Sequence, residues 1–302
     1  MQKMLKLGPL FVIIAALLWS GDGILRAGLY SLPPTVVVFY EHILGALVLL
    51  FFFPLWIKDV RKLNRKQWLA IGIVSLISGA LGTVLYTAAL GKVQYTQYSV
   101  VVLLQQQLQP IWAILAASLL LKEKVTKRFI LWALVALAAA YLVTFKDLTI
   151  NFATGGGTIV AAFFALSAGL MWGSSTAISK YALQNVSFLT ITALRFLLAP
   201  VFAFLFILSM GQTASLTTLT MAQWQTLGII TFSTGMIALA IYYYGLKKTK
   251  ARVATICELV WPASAVLIDY LYFHKELSAT QFVGIGILLL AIYQVTKTQD
   301  EK

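Results

Sequence analysis

The sequence is short of charge, poor in acidic residues, and nearly without cysteine and histidine. Of its 302 residues 11% are charged and ten are Asp or Glu, where roughly 25% charged is usual for a soluble domain. So few charges could not cover a water-exposed surface, which excludes a soluble globular chain. The one cysteine, Cys257, lies in an apolar run, so no intrachain disulfide forms and a thiolate metal cluster is not expected. The two histidines, His42 and His274, lack any zinc-binding spacing. No nucleotide-binding or nucleophile motif occurs, and no loop would hold a catalytic domain. An enzyme, a bound cofactor and ATP drive within this chain are therefore not expected.

What the chain has is apolar length. Hydrophobic residues make up 60% of it, with a mean hydropathy of +0.88. Apolar stretches fall at about Gly8–Leu29, Pro34–Ile57, Gln67–Leu90, Tyr95–Leu121 and Lys127–Phe145, then at Gly156–Tyr181, Ser187–Met210, Ala222–Gly245, Ala251–Phe273 and Ala279–Val295. Each suffices to cross a hydrocarbon core of roughly 30 Å. None alternates with the period of a membrane barrel strand. The predicted fold is an all-α membrane protein of ten transmembrane helices.

The net charge of +13 is explained by where the basic residues stand. With the amino terminus in the cytoplasm, 18 Lys and Arg fall in inner loops and ends, and four (Arg26, Lys92, Lys146 and Lys275) fall outside. That bias follows the positive-inside rule. It places both termini in the cytoplasm and leaves no need for a nucleic-acid partner. Lys3 and Lys6 before an apolar run resemble a signal sequence, but no Ala-x-Ala site follows, so the segment is expected to stay as the first helix.

The chain also repeats itself at an offset of 152 to 156 residues. Trp19 matches Trp172, Trp68 matches Trp224, Gly79 matches Gly235, Tyr86 matches Tyr242, Pro110 matches Pro262, and Glu123 matches Glu276. The predicted halves are residues 1–150 and 151–302, with Gly155-Gly156-Gly157 as a flexible link. Five helices per half is an odd number, so the second half enters the membrane inverted. Inverted repeats are a mark of transporters.

These residues resemble the drug/metabolite transporter superfamily, EamA-type. The resemblance rests on Trp19-Ser20-Gly21 and Trp172-Gly173-Ser174, on Leu194-Arg195-Phe196, and on Pro110 and Pro262 followed by Leu121-Lys122-Glu123-Lys124 and His274-Lys275-Glu276-Leu277. It covers nearly the whole chain and specifies a family, not a substrate. It implies ten helices and transport of amino acids, nucleotide-like metabolites, amphipathic cations or drugs. Where such proteins often carry Arg in helix two, this chain has Tyr40-Glu41-His42, which argues against an anionic substrate.

Charge inside a bilayer costs about 2.5 to 3.5 kcal/mol per residue on insertion scales, so each such residue asks for a reason. Glu258 stands four residues before Pro262, which cannot donate to its carbonyl, so a kink with a loosened carbonyl is predicted. Gln106 stands in the same relation to Pro110. The expected substrate-binding residues are Glu258, Gln105, Gln106, Gln109, Tyr86, Tyr242, Trp19 and Trp172, with the rings forming an aromatic box beside the carboxylate. The competing readings are helix-joining amides and carboxyls and interfacial aromatics. Glu41 and Arg195 share an offset of 154, which suggests a salt bridge. With His42 and Asp22 they form the expected coupling or gating set. Arg26, four residues after Asp22, suggests an intrahelical pair near the outer surface. Glu123 and Glu276 at helix ends point to structural or gating roles, and Asp269, approaching an outer end, to an interfacial one. Ser75-Gly79-Thr83 and Thr231-Gly235 suggest close helix packing only.

The expected function is secondary transport of a small metabolite across the inner membrane by alternating access. Coupling would be to protons through a carboxyl such as Glu258, or to a counter-substrate. The excess of carboxyls leans toward a cationic or zwitterionic substrate. The alternatives are a passive channel and an intramembrane enzyme, and the assembly is a monomer or a homodimer.

Overall fold

The computed structural model describes residues 7–94, 98–145, 155–274 and 276–301. Lys3, Lys6, Tyr95, Lys146, Lys275 and Lys302, and the boundary between the proposed halves at 150/151, lie outside the described residues. Within the described residues each of the ten apolar stretches is mainly helical, and no strand occurs among them. The helices are α1 (Gly8–Ala27), α2 (Pro34–Phe51), α3 (Arg65–Lys92), α4 (Tyr98–Leu120) and α5 (Lys127–Thr144), then α6 (Gly155–Ala182), α7 (Phe188–Ser209), α8 (Met221–Lys248), α9 (Ala251–Tyr272) and α10 (Ala279–Lys297). Nine of them are long and apolar enough to cross a membrane, and α4, at 23 residues, carries the four glutamines.

Short polar motifs start several of these helices. Asn64 and Gln67 at α3, Thr220 and Gln223 at α8, and Ser278 and Gln281 at α10 form capping boxes. Each box satisfies two amide N–H groups that the first turn leaves without a carbonyl. The Gln67 amide also donates to the Gln184 carbonyl at 2.7 Å, and that of Gln281 to the Val143 carbonyl at 2.9 Å, so the same residues join neighbouring helices. Glu123 caps from a distance. Its carboxylate accepts the N–H groups of Ala251 (2.8 Å) and Arg252 (3.0 Å) at the start of α9. The three glycines expected as a flexible link are instead the first turn of α6.

Four helices depart from regular geometry. α1 breaks between Trp19 and Asp22, and α9 between Cys257 and Val260. α3 and α8 contain π-helical stretches at Ser75–Gly82 and Thr231–Gly235, positions related by an offset of 156. Stretches of this kind widen a helix and turn side chains and carbonyls out of register, and they recur at functional sites.

The five most extensive helix contacts are α4–α6, α5–α10, α1–α8, α2–α7 and α3–α6. Each joins a helix of residues 1–150 to one of residues 151–302. The tightest seam is α4 against α6. Ala161, Ala165, Gly169, Gly173 and Ala177 recur every fourth residue on α6, and Gln105, Gln109, Ala113 and Ala117 do so on α4. A Cβ at Gly169 would clash with the Gln105 carbonyl oxygen, and one at Gly173 with that of Gln109. Small residues at this spacing let membrane helices approach to backbone contact.

Gly169→Ala and Gly173→Ala should each lower stability by about 1–3 kcal/mol, because the clash is with backbone that cannot turn away. Gly72→Ala, where nothing lies within 4 Å, should leave it unchanged or slightly raised. Thermal unfolding of the three variants in detergent checks this.

Candidate functional site: a central cavity lined by aromatics and charge

Both helix breaks and both π-helical stretches border one cavity with about 100 Å³ of water-accessible space. Eight helices contribute to it, and α5 and α10 do not.

At the break in α9 stands Glu258, 3% exposed. Its Oε1 accepts the Tyr242 hydroxyl at 2.8 Å, and its Oε2 accepts the Gln109 amide at 2.6 Å. Gln105 in turn donates to the Gln109 carbonyl oxygen, and Thr176 shares a hydrogen bond with the Tyr242 hydroxyl at 3.4 Å. The Glu258 carbonyl, expected to be loosened by Pro262, is taken instead by the Trp261 N–H at 2.9 Å. The backbone tightens to three-residue bonds across the break, which absorbs the missing proline donor. α4 runs through Pro110 unbroken, so the two related prolines have different effects.

Five aromatic side chains line the same cavity as this carboxylate. Trp261 is the hub, with ring centroids 5.8 Å from Trp19, 5.8 Å from Tyr86 and 5.9 Å from Trp172. Trp19 also meets Tyr242 at 5.2 Å, and Tyr86 meets Trp172 at 5.3 Å. Trp172 is oriented by its N–H, which donates to the Ser78 carbonyl at 3.1 Å in the π-helical stretch of α3.

A third wall is ionic. Arg26 donates through Nε to Asp22 and through Nη2 to Glu41 at 2.7 Å, and Nη1 reaches the Thr87 hydroxyl at 3.1 Å. Thr234, in the π-helical stretch of α8, donates to the other Asp22 oxygen at 2.6 Å. The pair expected from the i, i+4 spacing exists, but it is buried and takes in Glu41 as well. This overturns the Glu41–Arg195 salt bridge. Arg26 reaches Glu41 first, and Arg195 turns Nη1 to the Tyr243 hydroxyl at 2.9 Å. A shared repeat offset brings two residues together only if both lie near the symmetry axis. His42 is held by its own helix, through the Val38 carbonyl at 2.9 Å, and stacks on Phe196 at 4.9 Å.

Of the sequence-expected residues, Trp19, Tyr86, Trp172, Tyr242, Gln109, Glu258, Asp22, Glu41, His42 and Arg195 line the cavity; Gln105 and Gln106 do not. Gln105 packs at the α4–α6 seam, reaching the site only through Gln109. Gln106, 1% exposed, has neither amide atom hydrogen-bonded. Helical spacing explains the split, since Gln105 and Gln109 share a face while Gln106 lies 100° away. Asp269, expected near an interface, is buried and away from the cavity. Trp261 and Thr234 were not expected. The position of Trp261, three residues after Glu258 and beside Pro262, was the available signal. For Thr234 it was the repeated small-residue segments of α3 and α8, which take part in the site as well as in packing.

Removing Arg26 leaves two buried carboxylates facing each other, so Arg26→Gln should cost about 3–5 kcal/mol and sharply reduce folded protein. Glu41→Gln keeps the Asp22–Arg26 pair and should be milder. Glu41→Arg should not be rescued by Arg195→Glu. Yield of monodisperse protein on size exclusion reads all three.

The sequence model of the EamA-like transporter family matches this chain twice, at residues 6–145 and 159–297. The riboflavin transporter ImpX of Fusobacterium nucleatum is 35% identical, over 96% of this chain and 97% of that protein. Protein LicB of Haemophilus influenzae is 26% identical, over 95% and 98%. A solved structure described only as a protein crystal structure superposes with a TM-score of 0.71 over 97% of this chain and 98% of that one; at 15% identity it shares the fold alone. With its apolar helices, these matches make the chain a multi-pass membrane protein acting on a small molecule, and it belongs to the EamA-like transporter family.

Proposed function

We propose that the chain is a secondary transporter of a planar heteroaromatic metabolite, with riboflavin the first candidate, working by alternating access through the central cavity. The observation that carries this is the aromatic box of Trp19, Tyr86, Trp172, Tyr242 and Trp261 set against Glu258. Flat rings stack on such surfaces whatever their substituents, each contact contributing about 1–3 kcal/mol in nucleobase binding. The 35% identity to a protein named as a riboflavin transporter supports the same class.

The charge inventory weighs against the cation expected from carboxylate number. Asp22 and Glu41 are both engaged by Arg26, and Glu258 already receives two neutral donors. In this reading ten helices form two inverted five-helix repeats, residues 1–150 and 151–302, in the inner membrane with both termini cytoplasmic. The outer and inner ends of the cavity open in turn. Glu258 exchanges its Gln109 and Tyr242 contacts for substrate, a proton or a counter-solute.

Purified protein in liposomes should take up riboflavin saturably, and faster when the vesicles are preloaded with unlabelled riboflavin. Trp261→Ala should raise KM about tenfold, and Glu258→Gln should abolish net uptake. Linear, unsaturable flux would point to a channel. No flavin uptake alongside saturable uptake of an amino acid or a cationic amphiphile would reassign the substrate.

A further inference from the structure

Five charged side chains line the central cavity. Asp22, Arg26 and Glu41 neutralise one another, and Glu258 is held by an amide and a phenol. Arg195 is different. It is 9% exposed, no carboxylate lies within ion-pair distance of it among the described residues, and its buried Nε has no hydrogen-bond partner. Among the described residues its hydrogen-bond partner is the Tyr243 hydroxyl, reached by Nη1, and the guanidinium lies 5.9 Å from the centre of the same ring.

The internal repeat accounts for the missing counter-charge. An offset of 154 carries Glu41 to Arg195, and the offset of 153 that relates Trp19 to Trp172 carries Asp22 to Ser175 and Arg26 to Ser179. The acid–base cluster of residues 1–150 is thus matched in residues 151–302 by two hydroxyls and one cation, with no acid to meet the guanidinium. A cation this buried requires an acceptor, and Arg195 is one of the residues that line the central cavity.

We propose that Arg195 receives the electron-rich edge of the substrate, a ring carbonyl or a carboxylate, while the aromatic box holds the ring. This rests on reading the central cavity as the transport site. It makes Arg195 a specificity-determining residue and not a gate latch.

The test is calorimetric titration of the full-length detergent-purified chain with two ligand pairs. Riboflavin is compared with phenazine, a tricycle without ring carbonyls, and indole-3-acetate with tryptamine, the same ring without the carboxylate. Wild type should prefer the acceptor-bearing member. Arg195→Gln should weaken that member about tenfold or more and leave the other within about twofold, with Arg195→Lys in between. Equal weakening of both members, or no change in either, overturns the proposal. If neither tricycle binds but Arg195→Gln erases the indole-3-acetate preference, the flavin assignment fails and the role of Arg195 stands. If wild type binds none of the four, both fail.

Discussion

A guanidinium and two carboxylates within the apolar helices must neutralise one another on site, because the bilayer offers no water to do it. Arg26 meets that demand with three of its nitrogens at once, and a planar fork of donors is well suited to such use. The result fixes where α1, α2, α3 and α8 can stand relative to one another, since Asp22, Arg26, Glu41, Thr87 and Thr234 come from all four. The break in α1 just before Asp22 is consistent with a local backbone adjusted to serve that cluster. The aromatic box lies next to it because Trp19 sits on the other side of the same break.

The second constraint is that helices of residues 1–150 pack mainly on helices of residues 151–302. The glycine and alanine ridge on α6 has its counterpart on α4, and the close approach it allows brings Gln109 within reach of Glu258 on α9. Packing and site are therefore one arrangement. A side chain added at Gly173 would push against the backbone of the residue that holds the carboxylate.

Much of the fold could be read from the sequence, because spanning helices announce themselves by length and hydropathy. Their described ends fall within about three residues of the expected ones, apart from α2, which stops at Phe51 and not at Ile57. The aromatic residues of the cavity were legible through the repeat, Trp19 with Trp172 and Tyr86 with Tyr242. The misses have a common cause. Repeat offset and helical spacing say which residues share a level or a face, but not which helix stands opposite. Glu41 was matched with Arg195 by offset, when the cation actually opposite was Arg26 from the preceding helix. Gln106 was matched with Glu258 by its place four residues before a proline, but it does not line the cavity. Proline 262 was correctly read as marking an irregular turn, but whether its orphan carbonyl stays open depends on a three-residue bond that sequence does not reveal.

The cross-half packing also bears on how the chain is made. Helices enter the membrane in order, so α1 to α5 must wait in lipid for α8, α7 and α10 to arrive before their small-residue and aromatic faces are covered. The charges of the first half need not wait. Asp22, Arg26, Glu41 and Thr87 all belong to α1, α2 and α3, so they can satisfy one another as soon as the third helix has been threaded in. The ionic cluster thus serves as an early clasp, letting a half-built protein rest in the bilayer with its most expensive residues already settled.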